Sequence, residues 1–179
     1  MSKTYKMTIA GCERELPLCA VNPKMDIAAF IMFGDVEITE KTAEALLKVC
    51  PEHDIVITAE AKGIPLGYEM ARQGNREYVV ARKGLKVYMP DPVSVEVESI
   101  TTLGVQKLYL GRDEADRLKG RRVLIVDDVI STGESLRALE KLVEAAGGNI
   151  VGKAAVLAEG DAAERDDIIF LEKLPLFFH

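Results

Sequence analysis

Residues 123–135 read VLIVDDVISTGES: an apolar run, two adjacent carboxylates, then a small, hydroxyl-rich turn. The run Val123–Val126 has the unbroken, β-branched character of a strand buried on both faces. Ser131, Thr132, Gly133 and Ser135 then read as the turn that opens a helix. Backbone N–H groups at a helix N-terminus lack intrahelical partners and, helped by the positive end of the dipole, hold an anion such as phosphate. Gly133 lets the chain turn without a Cβ, and the three hydroxyls can each donate a hydrogen bond. Ordinary helix capping explains part of this cluster. It does not call for paired aspartates in front of it.

Asp127 and Asp128 become intelligible once the ligand has two ends. An ionised carboxylate only accepts hydrogen bonds, so it suits a pair of ligand hydroxyls. A phosphate and a vicinal diol on one small molecule describe a ribose 5-phosphate. If a bond at the anomeric carbon of that sugar breaks, positive charge develops there, and nearby carboxylates favour it. The two acids are therefore read as catalytic, facing the sugar rather than the phosphate.

The same strand–turn–helix alternation runs outward from this stretch. "YKMTIA" and "RELPLCAV" read as short strands around a turn at Gly11–Glu13. A helix is expected from about Thr39, as its N-cap, to Cys50, where Pro51 ends it. A strand over Asp54–Thr58 leads to a helix from Ile64 to Gln73 closed by Gly74. Glu77–Arg82 reads as another strand, and 83–93 as loop. "SVEVESI" and "VQKLYL" alternate like the arms of an antiparallel ribbon. "RVLIV" leads into a helix from Gly133 to Ala146, and "IVGKAAVLA" and "DIIFL" supply the last strands. The pattern predicts one α/β domain over residues 1–179, with a mainly parallel central sheet flanked by helices. Ligands of such sheets bind beyond the carboxyl ends of the strands. Loops 58–63, 82–86 and 127–135 would meet there.

Composition sets outer bounds. The chain of 179 residues is 48% apolar and 29% charged, which is globular composition. No apolar run approaches the roughly 20 residues that span a bilayer, and "MSKTYKMTIAGC" has no secretory character. A cytoplasmic location and no membrane partner are expected. Cys12, Cys19 and Cys50 match no zinc spacing and read as reduced thiols. A net charge of −6 argues against nucleic acid as a partner. Between Lys62 and Lys86, however, six basic residues (Lys62, Arg72, Arg76, Arg82, Lys83, Lys86) stand against Glu69 and Glu77. That island suits a small anionic ligand. "GGNIVGKA" at 147–154 nearly matches a nucleotide-binding P-loop. It fails because Ala154 replaces the hydroxyl and the segment runs from helix to strand.

The residues together resemble a known family. VLIVDDVISTGES is similar to the 5-phosphoribosyl-1-pyrophosphate (PRPP) motif of type I phosphoribosyltransferases. Within that family the chain is most similar to adenine phosphoribosyltransferases and related purine enzymes. "TAEAKGIPLG" (Thr58–Gly67) resembles the pyrophosphate loop, which implies contacts from Glu60, Ala61, Lys62 and Gly63, with Ala61–Lys62 as the strained peptide. "ARKGLK" (Ala81–Lys86) resembles the basic loop, in which Arg82, Lys83 and Lys86 meet pyrophosphate or the neighbouring subunit of a homodimer. Ser131, Thr132, Gly133, Glu134 and Ser135 would hold the 5′-phosphate, with the Glu134 side chain turned to solvent. The implied reaction joins PRPP to a nucleobase, adenine first, releasing pyrophosphate. Magnesium would be held mainly by PRPP, with no direct protein ligand. The resemblance also implies an N-terminal hood over residues 1–35 that selects the base, and a flexible closing loop over 88–108. "LPLFF" is similar to the adenine-type C-terminal segment.

Three positions depart from the adenine pattern. Thr102 occupies the slot of a closing-loop glutamate, leaving Glu96 and Glu98 as the nearest acids. "RELPLCAV" replaces the usual hood segment, and Glu134 stands where many relatives have glycine. A PRPP-binding regulator of the same fold is the second reading. It predicts an attached helix-turn-helix, whereas the first 20 residues read as strands.

Overall fold

Five strands that are apolar on both faces form the centre of the protein, as a parallel sheet requires. The computed structural model describes residues 3–98 and 105–179. β4 (Ile55–Ala59) is buried along its whole length. It lies between β5 (Glu77–Ala81) and β8 (Arg122–Ile130), so that Ile57 pairs with Val79 on one side and Ile125 on the other. β9 (Asn149–Glu159) and β10 (Ile169–Leu174) extend the sheet beyond β8, giving the order β10-β9-β8-β4-β5, all parallel. The parallel α/β expectation holds.

Alternation along the strands sends side chains into two cores. Ile55, Ile57, Val123 and Ile125 face one side. There they meet α4 (Glu134–Ala145) through Leu136, Leu139, Leu142 and Val143, whose spacing of three and four residues makes one helical face. The ribbon of β6 (Val93–Glu98) and β7 (Val105–Leu110) lies on the same side, with Val97, Leu108 and Leu110 in the core. So does α3 (Arg112–Leu118), a seven-residue helix that the sequence did not announce because only Ala115 and Leu118 are buried. Val56, Leu124, Val126 and Val156 face the other side, against α1 (Val36–Val49) and α2 (Ile64–Gly74).

The hood is a four-stranded antiparallel sheet, and it draws on both ends of the chain. Its order is β1 (Thr4–Ile9), β2 (Cys12–Asn22), β3 (Met25–Ala28) and β11 (Leu176–Phe178). Ile9, Cys12, Leu16 and Ala28 anchor it to the α1 side of the central sheet. Neither β3 nor β11 was foreseen, since four- and three-residue strands carry too little alternation to read. Among the described residues no helix is long and apolar enough to cross a membrane.

Two helix boundaries differ from expectation for local reasons. α1 starts three residues before Thr39, because Asp35 is the cap: its Oδ1 accepts from Ile38 N at 3.1 Å, while Thr39 Oγ1 donates to the Asp35 carbonyl at 2.8 Å. α2 runs through Gly74 and closes at Asn75, which takes the left-handed conformation (φ 50°) that Asn tolerates. Asp35 also ties the hood to α1, accepting from Arg14 Nε at 2.7 Å and Nη2 at 3.0 Å. Those bonds from Arg14 hold its carboxyl below the ordinary carboxylate range. The Asp35 contribution is therefore complete above a pH of about 4 and lost as pH falls through the depressed value. Asp35→Ala is expected to cost about 2 kcal/mol at neutral pH in urea unfolding, through a lost cap and a partly buried ion pair. The gap from the wild type should narrow below a pH of about 4.

Candidate active site

β8 carries both acids inside the sheet rather than at its end. Pairing with β9 continues past them, Asp127 opposite Ala155, Val129 opposite Leu157 and Ile130 opposite Ala158. Asp128 is buried and Asp127 half-buried. Asp127 Oδ1 accepts from Asp128 N at 2.9 Å. Burial first, and then the neighbouring Asp128 carboxylate, push the Asp127 carboxyl up to about 8. Asp128 Oδ2 lies 3.0 Å from Lys62 Nζ.

The turn after β8 is built as the sequence suggested. Gly133 is the N-cap of α4 at φ +78°, and no side chain caps the helix. Ser131 and Thr132 are exposed, and residues 131–136 line a small recess together with Asp127. A Cβ on Gly133 would sit 2.7 Å from Arg165 Nη1. Arg165 is held in place by Asp167, to which Nε and Nη2 each donate at 2.8 Å. Arg165 thus brings a cation beside the turn, which sequence reading missed. It stands alone in "AERDD", thirty residues downstream of Ser135, with no pattern to mark it. Glu134 corrects an expectation: its side chain is 8% exposed rather than turned to solvent. It occupies the first turn of α4, where the positive end of the dipole favours a carboxylate.

The loop from β4 to α2 reaches across to the same acids. A Cβ on Gly63 would lie 2.3 Å from Thr58 Oγ1 and 3.0 Å from Asp127 Oδ1, so α2 can approach only with glycine there. The unusual peptide is Glu60–Ala61, which is cis, one residue before the expected Ala61–Lys62. Glu60 N is still tied to the Ala81 carbonyl at 2.9 Å, so the chain leaves the sheet at the peptide that follows. Glu60 Oε1 accepts from Lys83 N at 2.6 Å and so brackets this loop to the basic loop after β5.

The cationic island divides by function. Arg72 grips Glu69 within α2 at 2.9 and 2.6 Å, and Arg76, just beyond α2, donates to the His53 carbonyl at 2.8 Å, so both are engaged in structural contacts. Lys62, Arg82, Lys83 and Lys86 remain at the carboxyl edge of the sheet. Among the described residues Lys83 and Lys86 have no ion-pair partner, and Arg82 Nε is buried without an acceptor. The near-P-loop proves structural, with Lys153 bound to Glu140 at 2.8 Å and to Asp167. Glu96, an acid of the closing ribbon, pairs with Lys107 at 2.6 Å. Thr102 lies outside the described residues. No group of three or more His, Cys, Asp or Glu among those residues could hold a metal by itself.

A family model described as the phosphoribosyl transferase domain matches residues 35–175. The chain belongs to this family. It is 35% identical over 130 residues to an adenine phosphoribosyltransferase of Rhodococcus jostii, covering 70% of this chain and 69% of that one. It is 38% identical over 112 residues to a hypoxanthine/guanine phosphoribosyltransferase of Methanothrix thermoacetophila, covering 63% of this chain and 55% of that relative. The fold matches the crystal structure of an adenine phosphoribosyltransferase from Thermoanaerobacter pseudethanolicus, with a TM-score of 0.67, 24% identity and 95% of each chain covered. This phosphoribosyltransferase is thus an enzyme among relatives of both the adenine and the hypoxanthine/guanine kinds.

The raised Asp127 carboxyl makes this phosphoribosyltransferase less stable than its fold allows. The folded state resists ionisation that the unfolded chain accepts freely. The penalty is absent below a pH of about 4 and complete above the folded value near 8. Asp127→Asn should therefore melt at a higher temperature than the wild type at pH 8, with the difference shrinking toward pH 4. Calorimetry of both proteins across that range checks it.

Proposed function

We propose that this phosphoribosyltransferase transfers the 5-phosphoribosyl group of PRPP to adenine, giving the nucleoside 5′-monophosphate and pyrophosphate in purine salvage. The observation that carries the reading is the position of Asp127 and Asp128 between an uncapped helix N-terminus and Lys62. A substrate laid across them has its phosphate at one end and its pyrophosphate at the other.

Each group then has a task. The 5′-phosphate takes the helix-opening N–H groups of residues 133–135, where no side chain caps α4, and the hydroxyls of Ser131, Thr132 and Ser135, the Glu134 backbone serving although its side chain is buried. Pyrophosphate takes Lys62, Arg82, Lys83 and Lys86, with backbone from Ala61 and Gly63. Glu60, already bonded to Lys83 N, holds the two loops in register rather than offering its own charge. As Lys62 turns to pyrophosphate it leaves Asp128, whose carboxylate can then accept from the ribose hydroxyls. Both aspartates face the sugar as its anomeric carbon becomes positive, and that charge, with the cation PRPP carries, favours the ionised form of Asp127 that burial opposes in the free protein.

Magnesium fits this arrangement. The acids are hard oxygen donors, and Asp128 Oδ2 accepts no well-formed hydrogen bond within the protein. Asp127 and Asp128 would face the water shell of a cation carried by PRPP, which neutralises charge on the leaving group when bound. A homodimer working in the cytoplasm belongs to the same reading. Leu85, Val87 and Tyr88, all exposed beside Lys86, give the basic loop an apolar flank for a second subunit.

The test is nucleotide formation from PRPP and magnesium with adenine, hypoxanthine, guanine, xanthine, orotate or uracil supplied separately. Turnover with adenine is expected. Tight PRPP binding with no turnover of any base would favour the regulatory reading instead. Asp127→Asn combined with Asp128→Asn should lower kcat/KM by about a hundredfold or more while the circular dichroism spectrum is retained. Lys62→Ala should weaken PRPP binding far more than ribose 5-phosphate binding in calorimetric titrations, whereas equal losses would disprove its pyrophosphate role.

A further inference from the structure

Glu159 is an acid at this site for which no task has yet been named. It ends β9, one strand from the aspartates, opposite Leu174 of β10 and next to Ala158, which pairs with Ile130. Ala158 belongs to the core on the α4 side, and alternation turns Glu159 to the hood side. The following residue confirms the seam. Gly160 is at φ +58°, and a Cβ there would lie 2.9 Å from Leu176 Cδ1 in hood strand β11.

The Glu159 carboxyl is half-buried and has no hydrogen-bond or ion-pair partner among the described residues. Burial raises its proton affinity, and the charge of nearby Lys62 opposes that rise. A half-buried carboxylate left without partners costs free energy, and a ligand donor would recover it. Among the described residues Lys62 is the one cation felt there, and Lys62 is claimed by Asp128 in the free protein and, on the reading above, by pyrophosphate in the complex.

Sheet order says which part of the substrate could supply the donor. The loops assigned to pyrophosphate follow β4 and β5, on one side of β8. β9 lies on the other side. A nucleophile reaches the anomeric carbon from the face opposite the leaving group, so the base must stand over β9 and beneath the hood. An ionised carboxylate accepts hydrogen bonds and repels carbonyl oxygens, so it distinguishes an amino group from an oxo group at the same ring position.

Building on the adenine reading above, we infer that Glu159 is a specificity-determining residue that accepts a hydrogen bond from the 6-amino group of the purine and disfavours a 6-oxo group. Its carboxylate would orient the base from below while the hood covers it from above.

The experiment is steady-state kinetics of the wild type, Glu159→Gln and Glu159→Ala with adenine, hypoxanthine and guanine, varying the base and PRPP in turn. Glu159→Gln is nearly isosteric and neutral, so folding should be kept, as a thermal melt will show. Expected is a fall of about tenfold or more in the adenine-to-hypoxanthine ratio of kcat/KM, entering through the KM of the base. The KM of PRPP should change less than about twofold, and Glu159→Ala should follow the same direction. An unchanged ratio, or parallel changes in both KM values, would overturn the inference and leave the adenine reading standing. A selective loss with guanine, not adenine, would overturn the amino-group assignment. Failure of the wild type to use any base would overturn the parent reading, and this one with it.

Discussion

Two neighbouring carboxylates in a buried strand are an electrostatic liability, and much of the surrounding architecture follows from holding them. Asp127 sits where desolvation and the neighbouring Asp128 carboxylate both oppose its ionisation. A strand fixed on both sides by β4 and β9 supplies the rigidity to keep them there. The loop after β4 brings Lys62 to Asp128, and Gly63 permits that loop to come so near that any side chain would strike Thr58. The free protein thus holds these acids in a compromise between desolvation and pairing with Lys62.

That compromise explains how one small region handles opposite charges. The groups suited to an anion are backbone N–H groups at the start of α4 and cations on loops beyond β4 and β5. The groups suited to hydroxyls are acids on β8. The parallel sheet delivers all of these loops to the same edge. Stability is given up locally for this, as in other sites where buried charge is kept for function.

Much of this was legible in the chain. VLIVDDVISTGES and TAEAKG carry their chemistry in contiguous residues, so spacing alone indicated an anion turn beside paired acids, and the parallel sheet followed from unbroken apolar runs. What escaped reading is what depends on distant partners. Arg165 and Glu159 matter through where β9 and the following turn place them, and neither lies in a recognisable pattern. Asp35 displaced Thr39 as the α1 cap because Arg14, from the hood, fixes its carboxylate. Arg72 and Arg76 counted toward a basic island, yet a pair within α2 occupies Arg72 and a tertiary contact to His53 occupies Arg76. The fate of Glu134 was hidden for the same reason, since a helix dipole acts only once the helix exists.

The hood has a consequence for how the molecule assembles. Its strand β3 pairs with β11, so that Ile27 meets Leu176 across nearly the whole chain. Closing so long a loop carries a large entropic cost, and contacts of this range form late in folding. The central sheet, with β4, β5, β8 and β9 joined by shorter connections, can come together first. The hood is then completed only after residues 176–178 have left the ribosome, so the sheet edge that carries Asp127 and Asp128 matures before the antiparallel layer beside it.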